Sequence, residues 1–272
     1  MPNTLPPTQD TIADSDKNAA ERHNALRQAS DPDTPADTLI NLSKSNDELI
    51  RGAVAFNKST PDEALDALLN EKNAHVLSCL RKRGIRTKPL FIKANRVIGN
   101  NLILRNVNTE DAAFILELRI DANKSKHISK TSSDLQQQVT WLKKYAQDDS
   151  QIYFIIQNKN LENVGTVRLY DQKEDSFCWG SWIIKDGSPS NFSIESALIV
   201  YHYSFWLGFN NAHFDVRKGN ASVWKFHERF GATRIGESSD DYFYSITYDA
   251  ISKSLEKYSR FLPNGISIET SA

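Results

Sequence analysis

Cysteine is nearly absent: 272 residues hold two, Cys79 and Cys178, far apart and in no Cys-x-x-Cys spacing. That pattern supports neither a disulfide framework nor a zinc site, so no metal is expected and the cytosol is the expected compartment. A surplus of either charge is missing too. Lys and Arg number 33 against 34 Asp and Glu, a formal net charge of −1. No nucleic-acid surface is expected, and the short run Arg81-Lys82-Arg83 reads as a solvated helix end. The opening stretch "MPNTLPPTQDTIADSDK" lacks the apolar core of a signal peptide or a membrane span. It is polar and proline-rich, and residues 1–15 are expected to be a disordered tail. What remains, 39% hydrophobic and 25% charged, suits a soluble globular chain of one or two domains.

Residues 34–83 contain an internal repeat. "TPADTLINLSKSNDELIRGAV" and "TPDEALDALLNEKNAHVLSCL" superpose with Pro35 on Pro61, an offset of 26 residues. Leu39 then falls on Leu65, Leu42 on Leu68, Ile50 on Val76 and Val54 on Leu80. Each Thr-Pro start reads as a threonine N-cap followed by proline at the first helical position, where its missing N–H costs nothing. Each unit is therefore expected to be two short helices with one apolar stripe, which a stacked neighbour must bury. "ALRQASDPDTP" reads as the end of a third, incomplete unit, because Ala29 and Asp31 match Ala55 and Asn57. These units resemble the variant leucine-rich repeat, a helical solenoid related to HEAT arrays. The resemblance implies a concave face on which a protein partner would dock. One cysteine in the region leaves no room for the iron–sulfur cluster that some such proteins carry.

From Asn101 the period changes. "NLILRNV" reads as a strand, "TEDAAFILELRI" as a helix capped by Thr109, and "SSDLQQQVTWLKKYAQ" as an amphipathic helix. Three strands follow in "IYFIIQ", "VGTVRLYD" and "FCWGSWIIK", with turn-rich segments between them. Then come the helix "SIESALIVYHYSFWLGF", the strand "AHFDVRK", the helix in "GNASVWKFHERFGA", the strands "TRIGES" and "DYFYSITY", and the helical tail "DAISKSLEKYSRF". The expectation is an α/β domain with a mixed sheet behind an all-helical module. Its bounds are 16–90 for the helical repeats, 91–100 for a linker, 101–262 for the α/β domain and 263–272 for a tail.

That element order, together with "GNASVWKFHERFGA", resembles the GNAT superfamily of acyl-CoA N-acyltransferases over residues 101–248. The likeness is greatest to the bacterial branch with ribosomal-protein and amino-sugar acetyltransferases. It implies a mostly antiparallel mixed sheet flanked by helices. In that family the helix after the fifth strand opens with asparagine, carries a tyrosine seven residues later and ends in a Gly-Phe-like pair; here the positions are Asn220, His227 and Gly231-Ala232. The family's pyrophosphate loop matches "DGSPSNFSIESA", with Ser188, Asn191 and Ser193 where arginine and glycines would stand. A helix start with free N–H groups binds anions whatever the side chains, and serine and asparagine add donors. The resemblance thus assigns acetyl-CoA to Trp182, Ile183, Ile184, Ser188, Ser190, Asn191, Phe192, Ser193, Asn220 and Trp224. Family members also splay the fourth strand so that its backbone holds the pantetheine arm. Gly180, between two tryptophans, is a reasonable place for the bulge this requires; without one, Trp179 and Trp182 would face opposite sides.

Amide formation from a thioester needs a neutral amine, a stabilised oxyanion and a proton for the thiolate. Backbone N–H groups near Trp182–Ile184 could serve the oxyanion. His227, with Asn220 on the same helix face, could supply the proton, because imidazolium is a stronger acid than phenol; a packing histidine would look the same in sequence. Arg168 and Tyr170 share one strand face, and Asp215 shares another with His213 and Arg217, which makes them candidates for the acceptor. No base stands out, and no cysteine or serine elbow suggests an acyl-enzyme. The expected activity is direct acetyl transfer from coenzyme A to a primary amine, of an amino sugar or sugar nucleotide first and of a protein N-terminus second. A non-catalytic acyl-CoA-binding or scaffold protein is the alternative from another class.

Overall fold

The computed structural model describes residues 9–121 and 132–270, which divide into two compact units, Met1–Lys88 and Pro89–Ala272. The first is helical: α1 (Gln9–Ser30), α2 (Ala36–Leu42), α3 (Glu48–Phe56), α4 (Asp62–Leu68) and α5 (Ala74–Lys82). Helix starts α2 and α4 lie 26 residues apart, as do α3 and α5. Leu39, Leu65, Ile50, Val76, Val54 and Leu80 are all buried, so the superposed stripe is the core of this unit. The polar bonds repeat with the same period. Asp47 and Asn73 cap α3 and α5, accepting from the N–H groups of Leu49 and of His75 and Val76. Asn57 Nδ2 donates to the carbonyl of Asp31 at 2.9 Å, and Arg83 donates to the carbonyl of Asn57.

The threonines act otherwise than expected. Pro35 and Pro61 precede the first helical residues and make no side-chain cap. Thr34 and Thr60 instead donate backwards, to the carbonyls of Gln28 at 2.7 Å and Val54 at 2.6 Å. Both carbonyls lie in the last turn of a preceding helix, where each also accepts a backbone N–H three residues on, from Asp31 at 3.2 Å and from Asn57 at 3.1 Å. Helix α1 starts at Gln9, within the stretch expected to be disordered; residues 1–8 of that stretch lie outside the described residues.

The second unit is a nine-stranded sheet in the order β7-β8-β6-β5-β4-β3-β2-β1-β9. Its strands are β1 (Ala94–Ile98), β2 (Leu102–Asn106), β3 (Ile152–Asn158), β4 (Asn163–Lys173), β5 (Ser176–Ile184), β6 (Asn211–Arg217), β7 (Thr233–Glu237), β8 (Asp241–Ile246) and β9 (Ser267–Thr270). Every pairing is antiparallel except β5 with β6. Two segments depart from expectation. The supposed linker 91–100 carries β1, and the supposed tail 263–272 carries β9, which pairs with it. Each strand is short and polar enough on its outer face that neither stands out alone, but the pair completes one sheet edge.

Helices α6 (Ala112–Ile120) and α7 (Leu135–Ala146) cover one face, around Val107, Ile115, Leu142, Tyr145, Tyr153 and Ile155. Asn108, rather than Thr109, caps the turn into α6, in a reciprocal box with Asp111. The other face carries the main core and packs against α8 (Asn191–Leu207), α9 (Ala221–Arg229) and α10 (Tyr248–Lys257). Helix α8 is apolar on all sides and buried accordingly. Gly208, at φ 93°, ends it in the left-handed conformation that glycine adopts without strain. Its first turns are tied down by one carboxylate. Glu195 is fully buried and accepts from Leu102 N at 2.9 Å, from Asn101 Nδ2 at 2.9 Å and from Asn101 N. Farther along, the Tyr203 hydroxyl accepts from Ala94 N at 3.1 Å and donates to the Ile92 carbonyl.

Removing the Glu195 carboxylate strands buried N–H donors of the β1–β2 turn. Glu195→Ala should cost roughly 2–4 kcal/mol of unfolding free energy, and Glu195→Gln about half of that. Urea titration of the full chain measures both; equal stability of all three proteins would contradict this account of the turn.

Candidate active site

The site begins with an irregularity in β5. Thr166 pairs with Ile183 and Gly165 with Ile184, but Arg168 pairs with Gly180 and Leu169 with Trp179. One extra residue therefore sits in β5 between Gly180 and Ile183. Ser181 bears the bend, at φ 46°, and the Thr166 hydroxyl donates to its carbonyl at 2.8 Å. A bulge flips the side-chain alternation beyond it. Trp179 and Trp182, three residues apart, consequently share a face, with ring centroids 5.2 Å apart. A bulge is present, but at Ser181, one residue after Gly180, the expected place.

The same bend separates β5 from β6. Their parallel pairing covers Ser176–Cys178 against Asn211–His213 and stops there, while β6 continues with β8 to Arg217. Beside the freed end of β5 lies an open cleft of about 180 Å³, lined by Trp182 and Ile184 of β5, Ser193 of α8 and Ser222, Val223 and Phe226 of α9. Ser193 stands in the first turn of α8, which has no acidic residue to oppose an anion. The cleft is thus apolar along β5 and α9, and polar where α8 starts.

Several expected residues take other places. Trp182, Ile184 and Ser193 line the cleft, and Asn191 opens α8 beside it. Phe192 is buried in the main core, and Ile183, buried on the opposite face by strand alternation, is not in the lining. Ser188 donates its N–H to Lys185, and Ser190 is exposed. Asn220 precedes α9 without a side-chain cap and accepts from the Ser222 hydroxyl at 3.2 Å. Trp224 turns away: its Nε1 donates to Lys218 O at 3.3 Å, and its ring meets Tyr242 edge-on at 6.1 Å. The α9 residues that line the cleft are Ser222, Val223 and Phe226. Helical spacing could have found them, since 222, 223 and 226 share a side.

His227 requires a correction. It is 5% exposed, ringed by Phe214 at 4.1 Å, Trp179 at 5.0 Å, Phe226 at 5.7 Å and Trp182 at 5.9 Å between centroids. Among the described residues its Nδ1 has no hydrogen-bond partner. Burial pushes its pKa down to about 3, because no counter-charge offsets the lost hydration of imidazolium. At neutral pH the ring is uncharged and cannot act as an imidazolium acid. It packs.

The opposite face of the sheet, beside the same bulge, is polar. Arg168 lies between two rings, 5.2 Å from Trp141 and 4.7 Å from Tyr170. Arg119 donates to the Ser181 hydroxyl at 3.3 Å. Tyr170 leans over Gly180, where an added Cβ would stand 2.9 Å from its hydroxyl oxygen. Burial foremost, then the neighbouring Cys178 thiol and Asp215 carboxylate, push the Tyr170 phenol above its ordinary pKa. The three acceptor candidates Arg168, Tyr170 and Asp215 therefore gather on one face. Next to them His213 bonds Ser176 at 2.8 Å and Asp171 at 3.2 Å. Among the described residues no group of three or more His, Cys, Asp or Glu could hold a metal ion, and no helix is long and apolar enough to cross a membrane.

Comparison with known proteins bears on the family and the fold. The family model for the acetyltransferase (GNAT) domain matches residues 101–233. The solved structure of apo FdhC, a nucleotide-linked sugar GNAT, is 36% identical; the match covers 64% of this chain and 99% of that one, with a TM-score of 0.55. A GCN5-related N-acetyltransferase from Brucella melitensis matches at 15% identity, over 65% of this chain and 90% of its own, with a TM-score of 0.55. Spermidine N-acetyltransferase from Vibrio cholerae in complex with CoA and spermine matches at 18% identity, over 56% and 98%, with a TM-score of 0.50. The latter two show the shared fold. A search of the curated proteins found no match.

The buried imidazole makes a prediction about acid. His227 is neutral in the fold down to about pH 3, whereas in the unfolded chain it takes up a proton near pH 6.5. The unfolded state binds more protons in between, so this residue's contribution is intact above pH 6.5 and is lost as pH falls towards 3. The slope approaches about 1.4 kcal/mol per pH unit. His227→Leu should remove that component, and chemical denaturation of both proteins at pH 7, 6, 5 and 4 reads the difference. Parallel stability curves would refute the assignment.

Proposed function

Because the chain belongs to the GNAT family of acyl-CoA N-acetyltransferases, we propose that it moves an acetyl group from acetyl-CoA directly onto the primary amine of a nucleotide-linked amino sugar. The observation that carries the reading is the cleft where β5 parts from β6 at the Ser181 bulge, with a helix start at one end and a polar acceptor face across the sheet. The sugar-nucleotide assignment is supported by the 36% identity to apo FdhC over 99% of that chain.

The residues fit acetyl-CoA as co-substrate. Trp182, Ile184, Val223 and Phe226 would bury the apolar parts of the pantetheine arm. The first turn of α8, with Ser193 and Asn191, would receive its pyrophosphate. Beyond Cys178 the β5 edge facing β6 has no strand partner among the described residues, so its backbone can pair with the amides of the arm. Backbone N–H groups at the bulge, around Trp182, are the candidates for the thioester oxyanion. With His227 neutral, the thiolate takes its proton from water or from a cleft hydroxyl, Ser193 or Ser222. Asp215, exposed on the acceptor face, would attract the ammonium form of the amine, and water would carry its proton away. We read the helical unit as a solenoid segment of the variant leucine-rich kind, suited to a protein partner.

A negative charge at the α8 start should oppose the pyrophosphate. Ser193→Glu is expected to raise KM for acetyl-CoA at least tenfold, with the urea midpoint little changed. Titration calorimetry with acetyl-CoA on the parent should show one site per chain, and no binding at millimolar ligand would end the acetyltransferase reading.

A further inference from the structure

Arg168 is held as if for a ligand. Its side chain is half-buried on β4, between the rings of Trp141 and Tyr170. Its Nε donates to Gln151 Oε1 at 2.6 Å, while Gln151 Nε2 donates on to Asp148. Asp148, the nearest acid in this relay, also accepts the N–H and hydroxyl of Ser150 at 2.8 and 2.6 Å. The orientation of the guanidinium is therefore fixed from one side only. Among the described residues its two terminal nitrogens meet no acceptor, and Arg168 forms no salt bridge. A partly desolvated arginine without a carboxylate is costly to keep. A second guanidinium stands on the same face, with Arg119 on the Ser181 hydroxyl at 3.3 Å; burial foremost, and Arg119 as well, push Arg168 below its ordinary pKa. Two guanidiniums on the face that takes the acceptor repel cations. A planar fork with both ends free, stacked so that little side-chain freedom is left to lose, suits bidentate binding of a phosphate.

The opposite sign lies across Tyr170. Asp215 and Arg168 both act on that phenol, in opposite directions, and Asp215 is exposed on β6. Gly180 pairs with Arg168 in the sheet and presents no side chain between them. We propose that the acceptor is bipolar: a phosphate group anchors on Arg168, backed by Arg119, while the reacting amine lies on the Asp215 side. This rests on the acetyltransferase reading and sharpens it. An amino sugar carrying a nucleoside diphosphate fits the two ends. A polyamine does not, although the Vibrio cholerae neighbour was solved with spermine.

The test uses the full chain with saturating acetyl-CoA and three acceptors: a nucleoside-diphosphate-linked amino sugar, the same amino sugar without the nucleotide, and spermidine. The parent should favour the linked sugar over the free one at least tenfold in kcat/KM and spermidine least. In Arg168→Gln that preference should fall at least fivefold, chiefly through KM for the linked sugar. Arg168→Lys, which keeps the charge but not the fork, should lose most of it as well. Inorganic pyrophosphate should inhibit the parent competitively against the acceptor amine, a readout that needs no folded variant. A preference that falls less than fivefold in both variants, spermidine as the best acceptor, or no competition by pyrophosphate would each overturn the phosphate anchor. Failure of the acetyltransferase reading looks different: no acetyl-CoA binding at all, and no transfer to any amine.

Discussion

One hydrogen bond holds the arrangement around the cleft: the Thr166 hydroxyl on the carbonyl of Ser181. It stabilises a non-glycine residue in a left-handed conformation, which costs of the order of 1–3 kcal/mol and persists where the surroundings enforce it. From that bend three consequences follow together. Trp182 joins Trp179 on the α8–α9 face, β5 leaves β6 after Cys178, and Ser181 comes within reach of Arg119 on the other face. A flat β5 would give none of these. The cleft and the polar face are thus two sides of one backbone defect.

The order of elements from Asn101 to the tail helix was legible in the sequence because strands and helices there have clean periods and turn-rich punctuation. Even the bulge could be anticipated, from a glycine between two tryptophans in a strand that the resembling family splays. The edge pair was not legible. Residues 94–98 alternate weakly, and residues 267–270 are four polar-flanked positions whose meaning depends on a partner 170 residues away in the chain. Pairing of that kind has no local signature.

His227 illustrates a different limit. Position in a family pattern says which residue type can stand at a site, not what surrounds it. Whether an imidazole is an acid depends on hydration, and hydration is set here by Trp179, Trp182, Phe214 and Phe226, which come from three separate elements. The same holds for Trp224. Its spacing put it with Asn220 and His227, but the cleft takes the neighbouring stripe of α9, because Tyr242 and the Lys218 carbonyl capture the indole. Arg168 and Tyr170, by contrast, alternate on one strand, where the period of two fixes a shared face with little help from elsewhere.

The helical unit has a property of its own. Two of its polar rungs, from Asn57 to Asp31 and from Arg83 to Asn57, reach back one 26-residue period to a backbone carbonyl. The capping residues Asp47 and Asn73 and the back-donating Thr34 and Thr60 bond locally, but each pair recurs at the same 26-residue spacing. A segment built so carries its own instructions for the next copy. Because these two rungs end on backbone carbonyls, tandem duplication of one period would still offer each an acceptor, so such an array can lengthen or shorten by whole copies during evolution.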